Sequence, residues 1–170
     1  MGREGGSGNG LKIMENEKVA IEKYITALQE LHTLGVLKSK HDFTSQIGEW
    51  LVETIYGGKR ADSSIQKGWD IDVNGYHIQV KAHAKAEGNN NRWSAVDKNE
   101  IEKIDELIII EFTPYYKILK FYKVPWTEAL KHIKSRNIKS PRFELSWSSI
   151  ESFNVNLDDL PNQNVVSIFR

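Results

Sequence analysis

The chain predicts an α+β fold, a central mixed β-sheet flanked by helices, and three observations carry that prediction. First, two alternating runs, Trp69-Asp70-Ile71-Asp72-Val73 and Tyr76-His77-Ile78-Gln79-Val80-Lys81, flank the pair Asn74-Gly75. A type I′ turn needs φ > 0 at both central residues, so this is the signature of a two-residue hairpin. Second, the continuous apolar run at 107–112 reads as a buried strand, and the alternating segment 117–124 pairs with it through a turn at Thr113-Pro114. Third, apolar residues recur at helical spacing in two segments ahead of the hairpin. Helices and strands in this order give an α+β architecture.

Taken in order, residues 1–14 form a flexible N-terminal segment, glycine-rich over the first ten, and 15–170 form a single domain. A helix covers 15–34, with Val19, Ile21, Tyr24, Ile25, Leu28 and Leu31 on its apolar positions and Gly35 as its C-cap. A second helix lies within 42–58 and stops at Gly57-Gly58. A short strand is expected at 59–64, then the hairpin, then a polar loop at 86–91 containing three asparagines. After the strand pair at 107–124, a helix covers 127–135 and a last strand 143–148. At 170 residues the chain suits one domain with a full hydrophobic core.

The hairpin register follows from its turn: Val73 faces Tyr76, Asp72 faces His77, Ile71 faces Ile78, and Asp70 faces Gln79. Side chains alternate across a strand, so Trp69, Ile71, Val73, Tyr76, Ile78 and Val80 share one face. Asp70, Asp72, His77, Gln79 and Lys81 share the other. Such alternation is also what any half-solvated hairpin shows, but two acids, an amide and an amine on one face suit a hard cation and a phosphate. Mg²⁺, with Mn²⁺ as substitute, would be held by Asp70 and main-chain oxygen at Val80. Such a cation acidifies bound water and offsets phosphate charge, and Lys81 would orient the attacking water or stabilise developing charge.

Asp70 followed by Gln79-Val80-Lys81 across a hairpin resembles the PD-(D/E)XK nuclease superfamily, in its Asp…Gln-x-Lys variant, as in Mrr-like restriction endonucleases. The resemblance covers roughly residues 43–112. It implies a restriction-endonuclease-like fold and a glutamate from the preceding helix, for which Glu49 stands at the matching place and Glu53 is the fallback. It also implies catalytic roles for Glu49, Asp70, Gln79 and Lys81, and metal contacts from Asp70, Val80 and Glu49. Two positions depart from the family pattern: Trp69 stands where a proline is usual, and Gln79 where a carboxylate is commoner. On the helix, Ile47, Trp50, Leu51 and Ile55 define an apolar arc, with Glu49 on the far side beside Ser45, Val52 and Tyr56. Gly48 would permit close approach of a backbone or substrate.

Composition narrows the classes. There is no cysteine, which excludes disulfide scaffolds, thiolate zinc sites and cysteine nucleophiles. No apolar run is long enough to span a bilayer and no secretory leader is visible, so the cytoplasm is the expected compartment. The 23 basic and 23 acidic residues balance, which argues against a passive nucleic-acid coat but not against an enzyme with a local basic groove. His83 and Lys85 extend the polar face, and Arg92 and Trp93 offer a phosphate clamp and a stacking surface; all four are candidate DNA contacts, with core packing the plainer role for Trp93. The basic cluster at 131–139 surrounds a helix end, where the helix dipole already accounts for it.

The resulting expectation is a metal-dependent deoxyribonuclease, type II restriction-endonuclease-like, with DNA as partner, no nucleotide cofactor, and a homodimer if both strands of a palindrome are cut. The alternatives are a catalytically inactive DNA-binding module on the same scaffold, or a protein-interaction module using exposed aromatics such as Tyr115, Tyr116 and Trp126.

Overall fold

The computed structural model describes residues 7–62, 68–84, 92–96, 103–135 and 143–170, with side chains from residue 15 onward. The chain divides into two units, the first ending at His41 and the second starting at Asp42. In the first, helix α1 (Ser7–Thr33) starts eight residues before the expected position, running through Gly8 and Gly10. Glycine is a poor helix former, but extending a helix costs far less than nucleating one, and the residues from Leu11 to Glu15 are good formers. Gly35, at φ 73°, takes the left-handed turn that follows it.

The second unit opens with α2 (Phe43–Tyr56), whose N-cap Asp42 accepts the Ser45 amide through Oδ1 at 3.3 Å. Gly57 ends it in the left-handed region, at φ 63°. Then come β1 (Lys59–Arg60), β2 (Ile71–Val73), β3 (Tyr76–His83), β4 (Trp93–Ala95), β5 (Glu106–Phe112) and β6 (Ile118–Pro125). Helix α3 (Trp126–His132), β7 (Ile133–Ser135) and β8 (Phe143–Ser146) follow, and the chain closes with 3₁₀ segments and the short α4 (Gln163–Val166).

The main sheet has the order β1-β2-β3-β5-β6. It is mixed: β3 and β5 run parallel, and the remaining neighbours run antiparallel. Ile71, Ile78, Val80, Ala82, Ile108, Ile110 and Phe112 face one core, covered by Leu51, Val52 and Ile55 of α2 and by the C-terminal residues Val166 and Phe169. Leu107, Ile109, Tyr122 and Val124 face a second core, covered by Ala129 of α3 and by Leu145 and Trp147. With both faces covered, every residue of β5 is buried, which is why its centre, Leu107 to Ile110, reads as an unbroken apolar run. The second core is roofed by a smaller sheet of order β4-β8-β7.

The hairpin forms in the expected register, with Val73 opposite Tyr76, Asp72 opposite His77 and Ile71 opposite Ile78. Asn74 and Gly75 have φ 53° and 86°, as a type I′ turn requires.

Several expectations are corrected. The helix expected over 127–135 ends at His132, because Ile133 turns extended and pairs with Leu145, burying its side chain in the second core. The strand expected over 143–148 gives way to a 3₁₀ turn at Trp147. Strand β4 had no sequence signal; three residues carry no period, and pairing with β8 alone defines it. The strand expected at 59–64 spans only Lys59–Arg60, its far end lying outside the described residues, as do the loop at 86–91 and positions 136–139. On α2 the buried arc is turned toward Val52, which is fully buried, while Ile47 and Trp50 are only partly covered.

Candidate active site

Asp70 lies immediately before β2, at the notch where that strand stops running beside β3. Its backbone amide donates to the Ile78 carbonyl at 2.8 Å, and its carbonyl accepts the Ala61 amide at 2.7 Å. The Asp70 carboxylate accepts the Val80 amide through Oδ2 at 2.7 Å. The side chain thus takes over from the strand backbone as partner to β3. Desolvation pushes the Asp70 carboxyl above the usual carboxylate range, against opposing pulls from the Val80 N–H and the Lys81 ammonium. An acid and an amine are therefore electrostatically coupled at this notch.

Gln79 and Lys81 point away from α2, since their parallel neighbours on β5, Leu107 and Ile109, belong to the second core. Gln79 is 8 % exposed, and its Oε1 is buried without a hydrogen-bond partner. A buried, unpaired amide oxygen costs free energy on the order of 1–3 kcal/mol, so Gln79 Oε1 is a candidate acceptor for a ligand group. Lys81 is half-buried.

Glu49 is half-buried on α2, beside Gly48. A Cβ on Gly48 would come within 2.5 Å of the Ala82 Cβ and 3.8 Å of Val80 Cγ1, so α2 crosses β3 with the Ala82 methyl against the Gly48 backbone. The close approach expected of Gly48 is thus made by β3. Glu49 sits one residue from the crossing, on the Val80 side of the sheet, while Gln79 and Lys81 occupy the other side. The sheet therefore separates Glu49 from Gln79 and Lys81.

Other polar residues of the hairpin are committed elsewhere. Asp72 accepts the Gly75 amide through Oδ1 at 2.7 Å and lies 3.3 Å from His77 Nε2 through Oδ2. It stabilises the turn and is the cross-strand partner of His77. His77 Nδ1 lies 2.9 Å from the Lys103 carbonyl, and its ring stacks on Trp69 with centroids 4.3 Å apart. Trp69 therefore sits on the polar side rather than the core side, because the ladder slips by one residue at Asp70. Tyr76 is likewise not core; it is exposed and donates its hydroxyl to Glu106 Oε2 at 3.0 Å. Glu53, the fallback acid, binds the buried Arg60 side chain at 2.9 Å and its amide at 3.1 Å.

His83 continues the polar face. Its Nε2 is 2.8 Å from the hydroxyl of fully buried Ser94, which also accepts Trp147 Nε1–H at 2.9 Å. Desolvation lowers the His83 pKa, with the Lys81 and Arg92 charges acting the same way and Asp42 opposing. Arg92 is half-buried, and Trp93, at 41 % exposed, lies on the surface of the small sheet instead of in a core. Lys85 lies outside the described residues. Ser94 and Glu111 were not anticipated: Glu111 is buried at the far end of the same face, where desolvation raises its pKa while Lys120 and Arg92 oppose. A glutamate inside an apolar run, Ile110-Glu111-Phe112, was the available signal.

Among the described residues, no three acidic or imidazole side chains converge to hold a metal. The donors that do fit a hard cation are the Asp70 carboxylate and the unpartnered Gln79 oxygen, an amide and a carboxylate being the oxygen ligands Mg²⁺ accepts. The chain matches no protein-family model and no curated protein sequence.

Proposed function

We propose that the chain is a metal-dependent deoxyribonuclease that hydrolyses DNA phosphodiester bonds on a restriction-endonuclease-like scaffold of the PD-(D/E)XK type. The observation that carries this reading is a desolvated Asp70 coupled to Lys81, with the buried, unpaired Gln79 oxygen two residues before Lys81 on β3. A mixed sheet with α2 packed across β3 is compatible with that scaffold.

Asp70 would hold Mg²⁺ or Mn²⁺, with Glu49 and the main-chain oxygen of Val80 as further donors. When bound, the cation supplies a Lewis acid for the phosphate and acidifies water. Lys81 donates to the phosphoryl oxygens as charge builds there, and Gln79 Oε1 accepts from the attacking water and orients it. His83, held by Ser94, sits further along the face toward the flanking phosphate. A homodimer would serve cleavage of both strands.

One observation favours a second reading, a DNA-binding module that does not cut: Gln79 replaces a carboxylate, and no three-ligand cluster is present among the described residues. Incubating supercoiled plasmid with Mg²⁺ or Mn²⁺ separates them. The nuclease reading requires nicking or linearisation by wild type that Asp70→Asn and Lys81→Ala abolish. Intact plasmid that nevertheless shifts on a gel favours the binding module, and no DNA binding at low salt favours protein interaction, since phosphate contacts are strongest there.

A further inference from the structure

We propose that the cavity on the outer face of the β4-β8-β7 sheet is a binding site for one nucleotide unit, with the base stacked on Trp93 and the phosphate held by Arg92 and Lys134. The cavity measures about 340 Å³, within the range of small-ligand sites. Its construction follows from strand alternation. Ser94, Leu145 and Ile133 are buried beneath the small sheet, so Trp93, Glu144, Ser146 and Lys134 project outward. Trp93 is the direct cross-strand neighbour of Ser146, and Lys134 of Glu144, which gathers these groups into one wall.

The lining combines an exposed indole, two basic side chains, a histidine (His132) and a carboxylate. An aromatic face takes any base by stacking, and the flanking cations take the phosphate. Glu144 is an acceptor suited to the exocyclic amine of a base, which cytosine carries and thymine lacks. Arg92 lines the cavity and, from the same position, acts electrostatically on His83 and Glu111, which share a sheet face with Lys81. In taking the nucleotide to belong to DNA the inference rests on the nuclease reading, whereas the cavity's own chemistry does not.

The test is direct binding in EDTA, by calorimetry, of dCMP, dTMP and a single-stranded hexanucleotide to the full chain. Expected are measurable binding, a loss of about tenfold or more in Trp93→Ala with retention in Trp93→Phe, a weaker response to salt in Lys134→Ala, and preference for dCMP over dTMP. A hexanucleotide that binds more tightly than dCMP identifies a strand as the source; equal affinities identify a free nucleotide. Absence of binding to wild type, or binding unchanged by both Trp93→Ala and Lys134→Ala, overturns the assignment; equal affinity for dCMP and dTMP overturns the role of Glu144. Because EDTA removes the metal, binding that survives Asp70→Asn while wild type leaves plasmid intact would sink the nuclease reading and leave this one standing.

Discussion

The Asp70 carboxylate accepts the Val80 amide at 2.7 Å, filling the position that the ladder register would give to the backbone of residue 69. One side chain therefore caps the edge of β3 and remains available, through its other oxygen, to an ion or substrate. These two tasks can be separated by mutation. Asp70→Ala leaves the Val80 N–H unpaired and should cost about 1–3 kcal/mol. Asp70→Asn keeps an acceptor oxygen and should cost much less. Both should abolish cleavage under the proposed function. Urea denaturation alongside plasmid cleavage reads the two effects; equal destabilisation by both variants would contradict this division.

The desolvated groups give the protein opposing pH dependences. Asp70 has a raised folded-state pKa, so the folded state binds more protons, and its contribution to stability falls as pH rises from about 4 through the raised value. The stability of wild type relative to Asp70→Asn should decline across that window. His83 has a lowered pKa, so its contribution rises with pH up to about 6.5. Wild type relative to His83→Gln should gain stability there. Urea midpoints measured from pH 4 to 8 check both signs.

Glu53 and Arg60 form a local ion pair at 2.9 Å, with the Arg60 side chain 4 % exposed. Removing one partner of a buried pair leaves a charge poorly compensated, so Glu53→Ala should destabilise by on the order of 3 kcal/mol. Its cleavage per folded molecule should be unchanged, whereas Glu49→Ala should lower cleavage per folded molecule. The reverse pattern would move the assisting acid to Glu53.

Gly48 is where α2 rests on β3. Gly48→Ala puts a methyl group 2.5 Å from the Ala82 Cβ, and overpacking of this kind costs about 1–3 kcal/mol. Adding Ala82→Gly should restore much of that stability by vacating the contact. No rescue in the double variant, judged by thermal melting, would place the strain elsewhere.

The hairpin was legible because its determinants are local. Asn74-Gly75 and the two-residue period need no distant partner, so the register from Val73–Tyr76 to Ile71–Ile78 could be read directly. The slip at Asp70 could not, since it depends on where β2 separates from β3, and it moves Trp69 onto His77. The contacts of Asp72 with the Gly75 amide were not legible either, since they depend on the side chain's rotamer rather than on the period.

By itself the sequence determined the elements whose signals are periodic or conformationally unique: α2 between its caps, the type I′ hairpin, the buried strand β5 and its partner β6. Only the tertiary structure decided which polar residues are spent on the fold. Burial and hydrogen bonding are collective, so no local pattern could say that Glu53 serves Arg60, that Ser94 lies beneath the small sheet against His83, or that Gln79 keeps an oxygen unpaired. The same holds for Ile133, whose helical neighbours pointed one way and whose cross-strand partner Leu145 prevailed, because burial in a core outweighs the few tenths of a kcal/mol, roughly, that helix propensity offers at one residue.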